Sequence, residues 1–209
     1  MFSIIQAAGW PIWPLIACSI LALALIIERF LSLRTARVAP AQLLQEAITV
    51  SQNGLPSAQT IEQLAQNSPL GEVLATGLET LRQHPHASDE EVQLSMETAG
   101  RAAAHRLEKY LGALATIASA APLLGLLGTV IGMIEIFGSQ SGAGAVGGGN
   151  PTQLAHGISI ALYNTAFGLI VAIPTLIFWR YFRARVDGFL LTLELSAEQF
   201  ARHLARLRG

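Results

Sequence analysis

Residues Leu111–Phe137 read LGALATIASAAPLLGLLGTVIGMIEIF, a run with a single charged side chain, Glu135, and no Lys or Arg. About 20 helical residues cross the roughly 30 Å hydrocarbon core of a bilayer, and this run is longer than that. Backbone polar groups in lipid must be satisfied within the segment itself, so the run is expected to be a helix. Two further stretches pass the same test, Trp10–Ile27 and Leu154–Trp179.

Composition agrees with a membrane class. Hydrophobic residues make up 52% of the 209 and charged residues only 13%, against about 25% charged in an ordinary soluble domain. A net charge of −1 gives no reason to expect a nucleic-acid partner. The lone cysteine, Cys18, lies in an apolar run; one cysteine rules out an internal disulfide and argues against a metal cluster. His84, His86, His105, His156 and His203 lack ligand spacing. No metal and no cofactor is expected, and no nucleophile–base pair points to an enzyme.

The charges are also clustered. All 13 Lys and Arg fall within Arg29–Lys109 or Arg180–Arg208. Arg29, Arg34 and Arg37 follow the first apolar stretch, Arg101, Arg106 and Lys109 precede the second, and Arg180, Arg183 and Arg185 follow the third. The positive-inside rule then puts the N-terminus outside, the middle segment inside, the Gly-rich loop outside and the C-terminus inside. Met1–Gly9 has no basic residue, and the first stretch ends at Glu28-Arg29-Phe30 without a small-residue cleavage site, so it reads as a retained span. Trp10 and Trp13 suit an interfacial aromatic belt, and Pro11 and Pro14 suit a first helical turn.

The expected layout is a periplasmic N-terminus (1–9), a first span (10–31), a cytoplasmic helical segment (32–110) and a second span (111–138). A periplasmic Gly-rich loop (139–153), a third span (154–180) and a cytoplasmic C-terminal helix (181–209) complete it. Within the cytoplasmic segment, Pro40–Ser51, Ser57–Gln66 and Leu70–Gln83 read as helices bounded by Asn53-Gly54, Asn67-Ser68-Pro69 and His84-Pro85-His86. Ser88-Asp89-Glu90-Glu91 supplies an N-cap with acids in the first turn. No breaker intervenes at Arg101–Leu111, so Ser88 is expected to run into the second span as one helix of about 50 residues, roughly 75 Å. The middle segment is then an inward extension of the spans rather than a separate domain.

Both later spans carry small residues at helical spacing. In the second, Gly125, Gly128 and Gly132 stand beside Thr129 with Ala118 and Ala121 on the same side; in the third, Gly157, Ala161, Thr165, Gly168, Ala172 and Thr175 form one stripe. Such stripes let helices approach closely in lipid, and packing alone explains them. The alternative is that Thr129 and Thr165 face a shared polar interior, where a hydroxyl both donates and accepts. Pro122 and Pro174 lie inside the spans, each freeing a carbonyl one turn earlier. Tyr163 and Asn164 add polar groups beside Thr165, with packing the simpler role.

The run Ala121–Met133, APLLGLLGTVIGM, resembles the second-span signature of the MotA/TolQ/ExbB proton-channel family, and Gly157–Pro174, GISIALYNTAFGLIVAIP, resembles its third-span signature. The chain is closer to ExbB and TolQ than to the four-span MotA stator. The resemblance covers essentially the whole chain and implies an all-α polytopic membrane protein of three spans. It implies long helices extended into the cytoplasm and assembly as a homo-oligomeric ring, a pentamer in the family. It further implies an ExbD- or TolR-like dimer in the ring lumen and proton flow that energises a TonB- or TolA-like transducer across the bacterial inner membrane. The family's proton-carrying aspartate belongs to the ExbD-like partner, and its lumen-lining threonines match Thr129 and Thr165.

One position departs from the pattern. Many ExbB and TolQ members carry glutamate five residues before the third-span threonine, and here that residue is Ile160. Glu135 is the one carboxylate deep in a span and is expected either to form part of a proton entrance or to touch headgroup water. Glu28 with Arg29 reads as a structural pair at the inner end of the first span. Arg101 and Arg106, with Glu97 and Glu108, are placed to shape a charged exit, and the basic tail Arg180–Arg208 either meets anionic lipid or is a solvated face. A passive scaffold, or a stator-like subunit of another ion-driven machine, is the alternative to an ExbB/TolQ-like channel subunit.

Overall fold

A computed structural model describes residues 10–52, 54–140 and 151–208, the side chains of 139–140, 151–154, 156, 157, 160 and 208 excepted. The readings for residues 1–9, for the Gly-rich loop between 141 and 150, and for the side chains of His156, Gly157 and Ile160 lie outside the described residues. The rest is helical: α1 (Ile12–Ser32), α2 (Thr35–Val38), α3 (Leu43–Ser51), α4 (Ala58–Asn67), α5 (Pro69–Gln83), α6 (Asp89–Glu108), α7 (Leu111–Gln140) and α8 (Pro151–Arg208). Among the described residues, three helical stretches are long and apolar enough to cross a membrane, within Ile12–Ser32, Asp89–Gly138 and Ala161–Leu207. The chain folds as two compact units.

The first unit comprises the chain up to Ile27 together with Tyr110–Arg180. Its core joins Leu15 and Ala22 of α1, Ile117 and Ala121 of α7, and Val171 and Ala172 of α8. The other faces carry Trp13, Leu23, Leu126, Ile134, Ile170 and Ile177 outward. An apolar exterior of this extent is unfavourable in water and ordinary in lipid or against neighbouring helices. Both internal prolines, Pro122 and Pro174, are accommodated without ending their helices.

The second unit comprises Glu28–Lys109 and the tail from Tyr181. Here the ordinary soluble logic returns, with a buried apolar core that includes Val73, Leu74, Leu78, Met96, Phe182, Val186 and Phe200. Side-chain caps start its helices. Ser57 accepts from the Thr60 N–H at 3.3 Å and Ser68 from the Gly71 N–H at 3.1 Å. Ser88 and Glu91 form a reciprocal capping box, at 3.1 Å and 2.8 Å. The tail is stitched to distant sequence: Arg183 pairs with Glu108 at 2.8 Å, Arg185 donates to the Leu33 carbonyl at 3.0 Å, and Ser51 meets His203 at 3.1 Å.

Two expectations are corrected here. Residues 88–138 are not one uninterrupted helix: α6 ends at Glu108, Lys109 adopts φ −49° and ψ 137°, and Tyr110 has φ +69°. A left-handed residue other than glycine costs roughly 1–2 kcal/mol, and no Gly or Pro marks the spot, so propensity argues for continuity where the structure breaks. Nor is the middle segment merely an inward extension of the spans. Helices α2–α6 and the tail bury a core of their own, a consequence of contacts that no local pattern encodes.

Candidate functional site

The site is built where α7 and α8 meet at backbone distance. An ideal Cβ on Gly125 would fall 2.7 Å from the Asn164 carbonyl oxygen and 3.0 Å from Thr165 Cα. On Gly168 it would fall 2.6 Å from the Ala121 oxygen, and on Gly128 2.8 Å from Asn164 Cβ. These three positions have no room for a methyl group. Gly132 differs, because a Cβ there would meet Ala161 Cβ at an ordinary 3.4 Å.

Into this seam the fold inserts two polar residues of α8. Asn164 is 2% exposed, its side chain lying against Gly128. Thr165, half-buried, donates its hydroxyl hydrogen to the Gly125 carbonyl at 3.3 Å, a bond that crosses from one helix to the other. Thr129 sits one turn beyond Gly125 on α7, half-buried, and donates to the Leu126 carbonyl of its own helix at 2.7 Å. A shallow depression on α7 runs beside it, lined by Val130, Met133, Ile134 and Phe137. Ten residues beyond Thr165 on α8, buried Thr175 donates to the Val171 carbonyl at 2.7 Å.

The structure therefore brings Thr165, Asn164, Gly125 and Gly128 together, with Thr129 one turn away. It does not bring the other candidates there. Tyr163 is 51% exposed, turned away from the seam that buries Asn164, and Glu135 is exposed on α7 well past Thr129. Each threonine hydroxyl is held by a carbonyl rather than by the other threonine, so within one chain they form two adjacent hydroxyl stations, not a pair. A hydroxyl bonded through its hydrogen keeps its lone pairs available to a proton, a water molecule or a protonated carboxyl group.

The charged residues around α6 are tied down. Arg101 pairs with Glu97 at 2.6 Å, Arg106 with Glu72, and Arg183 with Glu108. Arg29, 3% exposed, pairs with its neighbour Glu28 and donates to the Leu107 carbonyl at 3.1 Å, where α6 ends. A buried guanidinium at a helix C-terminus is a role that sequence reasoning missed beyond the Glu28–Arg29 pair. Its sole signal was a charge directly after an apolar run.

Residues 65–195 match the model of the MotA/TolQ/ExbB proton channel family. The chain belongs to that family. The matched residues take in just over half of the second unit, both small-residue stripes and the threonines. Among relatives, an ExbB-like biopolymer transport protein of Synechocystis is 35% identical over 181 residues, 86% of this chain and 83% of that protein. The biopolymer transport protein exbB1 of Vibrio cholerae is 36% identical over 176 residues, 81% of this chain and 73% of that protein. The Tol-Pal system protein TolQ of Pseudomonas aeruginosa is 35% identical over 130 residues, 60% of this chain and 55% of that protein. Three apolar helices and this membership make the chain a multi-pass membrane protein of the MotA/TolQ/ExbB family.

Proposed function

We propose that this chain is an ExbB/TolQ-like subunit of a proton-motive-force-driven motor in the bacterial inner membrane, with its N-terminus periplasmic and its C-terminus cytoplasmic. Copies of it form a ring, five in the family's pattern, around the membrane helices of an ExbD- or TolR-like dimer. Thr129 and Thr165 line the proton pathway, and the assembly energises a TonB- or TolA-like transducer that acts on the outer membrane. The observation that carries the reading is the Thr165–Gly125 hydrogen bond, which holds a hydroxyl at the α7–α8 seam one turn from Thr129, within the residues that match the family. One elementary charge crossing 100 mV releases about 2.3 kcal/mol, enough to bias a two-state mechanical element.

Glu135 forms part of the periplasmic entrance. Its exposure on α7 gives the carboxylate access to outer-leaflet water or to a neighbouring subunit, where an ionised group is tolerated. Glu135→Gln with unaltered proton flux and transport-dependent growth would remove it from the pathway.

The test of the whole reading is energy coupling in cells. Thr129→Ala and Thr165→Ala should each abolish growth that depends on outer-membrane transport or integrity while the complex still purifies intact. Full activity in both variants would favour the passive scaffold. Co-purification with the ExbD- or TolR-like neighbour, weighed by native mass spectrometry, reads the subunit ratio; a chain that retains no partner would overturn the motor.

A further inference from the structure

Most arginines of the second unit already have an acceptor. Arg29, Arg82, Arg101, Arg106, Arg183 and Arg202 pair with carboxylates, and Arg185 donates to the Leu33 carbonyl and lies 5.3 Å from the Phe189 ring centroid. Arg34, Arg37 and, in the tail, Arg206 are exceptions, and the first two share one short stretch. Both are exposed, and among the described residues no carboxylate pairs with either. They sit two and five residues past Ser32, the end of an apolar helix long enough to cross a membrane.

That stretch is a pinned platform rather than a loose turn. Leu33 before it and Val38 and Ala39 after it are buried. The Arg37 and Val38 N–H groups donate to the Arg34 carbonyl, and the Ala39 N–H donates to the Thr35 carbonyl. Arg185 clamps the entry, its guanidinium bonding the Leu33 carbonyl at 3.0 Å and reaching the Thr35 hydroxyl at 3.5 Å. Between the anchors, residues 34–37 all face outward, and just upstream Phe30 and Leu31 expose apolar surface. Two exposed guanidinium groups on this pinned backbone, three to seven residues along the chain from exposed Phe30 and Leu31, suit a phosphodiester headgroup joined to acyl chains. Guanidinium suits this role because its planar fork meets phosphate oxygens in pairs.

We propose that Arg34 and Arg37 form a binding site for anionic phospholipid, with the headgroup phosphate on the two guanidinium groups and the first acyl carbons against Phe30 and Leu31. The occupant is a lipid of the adjoining leaflet. The site is separate from the threonine seam and stands whether or not the proton-pathway reading does.

The test is native mass spectrometry of the detergent-purified protein titrated with dioctanoyl-phosphatidylglycerol, dioctanoyl-phosphatidylcholine or inorganic phosphate. The wild-type chain should take up the glycerol lipid in preference to the choline lipid, and phosphate at the same concentration should not displace it. A juxtamembrane arginine contributes about 1 kcal/mol toward an anionic surface, so Arg37→Gln should weaken binding about fivefold and Arg34→Gln/Arg37→Gln about 30-fold. Both side chains are exposed, so the folded state should survive, and unchanged helicity checks it. Equal uptake of the choline lipid, displacement by inorganic phosphate, or undiminished glycerol-lipid binding in the double variant would each overturn the site.

Discussion

Gly128 lies so close to Asn164 that a Cβ on the glycine would fall 2.8 Å from Asn164 Cβ and 2.9 Å from its amide nitrogen. The glycine is the socket and the asparagine the plug, which turns the small-residue stripe from a composition signal into a specific fit.

The fit sets an order among the glycines. Gly125→Ala and Gly168→Ala drive a methyl group into backbone carbonyl oxygens that cannot rotate away, so each should destabilise the protein by about 1–3 kcal/mol. Gly128→Ala meets a side chain and should fall lower in that range. Gly132→Ala, with ordinary contact distances, should be nearly neutral. Thermal unfolding of the four variants in one detergent checks the order.

Arg29 should prove costly to replace. Arg29→Met removes the donor to Leu107 O at the end of α6 and strands Glu28 without its partner, for a loss of about 2 kcal/mol. Arg29→Lys should recover only part of it, because one ammonium cannot reproduce the forked geometry that reaches both acceptors. Denaturation of the two variants beside the wild type reads the difference.

Tyr110 should tolerate glycine better than its exposed aromatic character suggests. Its φ of +69° is a region that glycine enters freely. Tyr110→Gly should therefore be neutral or stabilising by up to about 1 kcal/mol, and Tyr110→Val should be destabilising, since a β-branched residue is a severe outlier there. Were the helix continuous at this point, the order would reverse. Unfolding measurements on the pair decide between the two.

How much of this could be read from sequence alone depends on range. The spans followed from uninterrupted apolar runs and from where Arg29, Lys109 and Arg180 stop them. Ser88 announced its helix because a cap acts within three residues, whereas Ser68, read as part of a stop signal, also caps the helix that follows it. The break at Lys109–Tyr110 gave no sign, since it uses neither Gly nor Pro. The second unit was hidden for another reason: Arg183 meets Glu108 from 75 residues away, and Arg185 meets Leu33 from 152. Within the site, Thr165 and Gly125 were singled out by spacing, but their bond spans 40 residues and only the packed pair of helices shows it. Tyr163, adjacent to Asn164 in sequence, points elsewhere because neighbouring residues on a helix lie about 100° apart.

The most direct measurement is proton flux. The chain, co-purified with its ExbD- or TolR-like neighbour and reconstituted in liposomes, is given an imposed potential while the internal pH is followed. Thr165→Val keeps the shape and removes the hydroxyl, and should cut flux roughly tenfold or more, the equivalent of one hydrogen bond of about 1.4 kcal/mol at the barrier. Thr165→Ser should restore it, and Thr129→Val should behave like Thr165→Val. Intact complexes in which both valine variants conduct at the wild-type rate would contradict a proton pathway along these threonines.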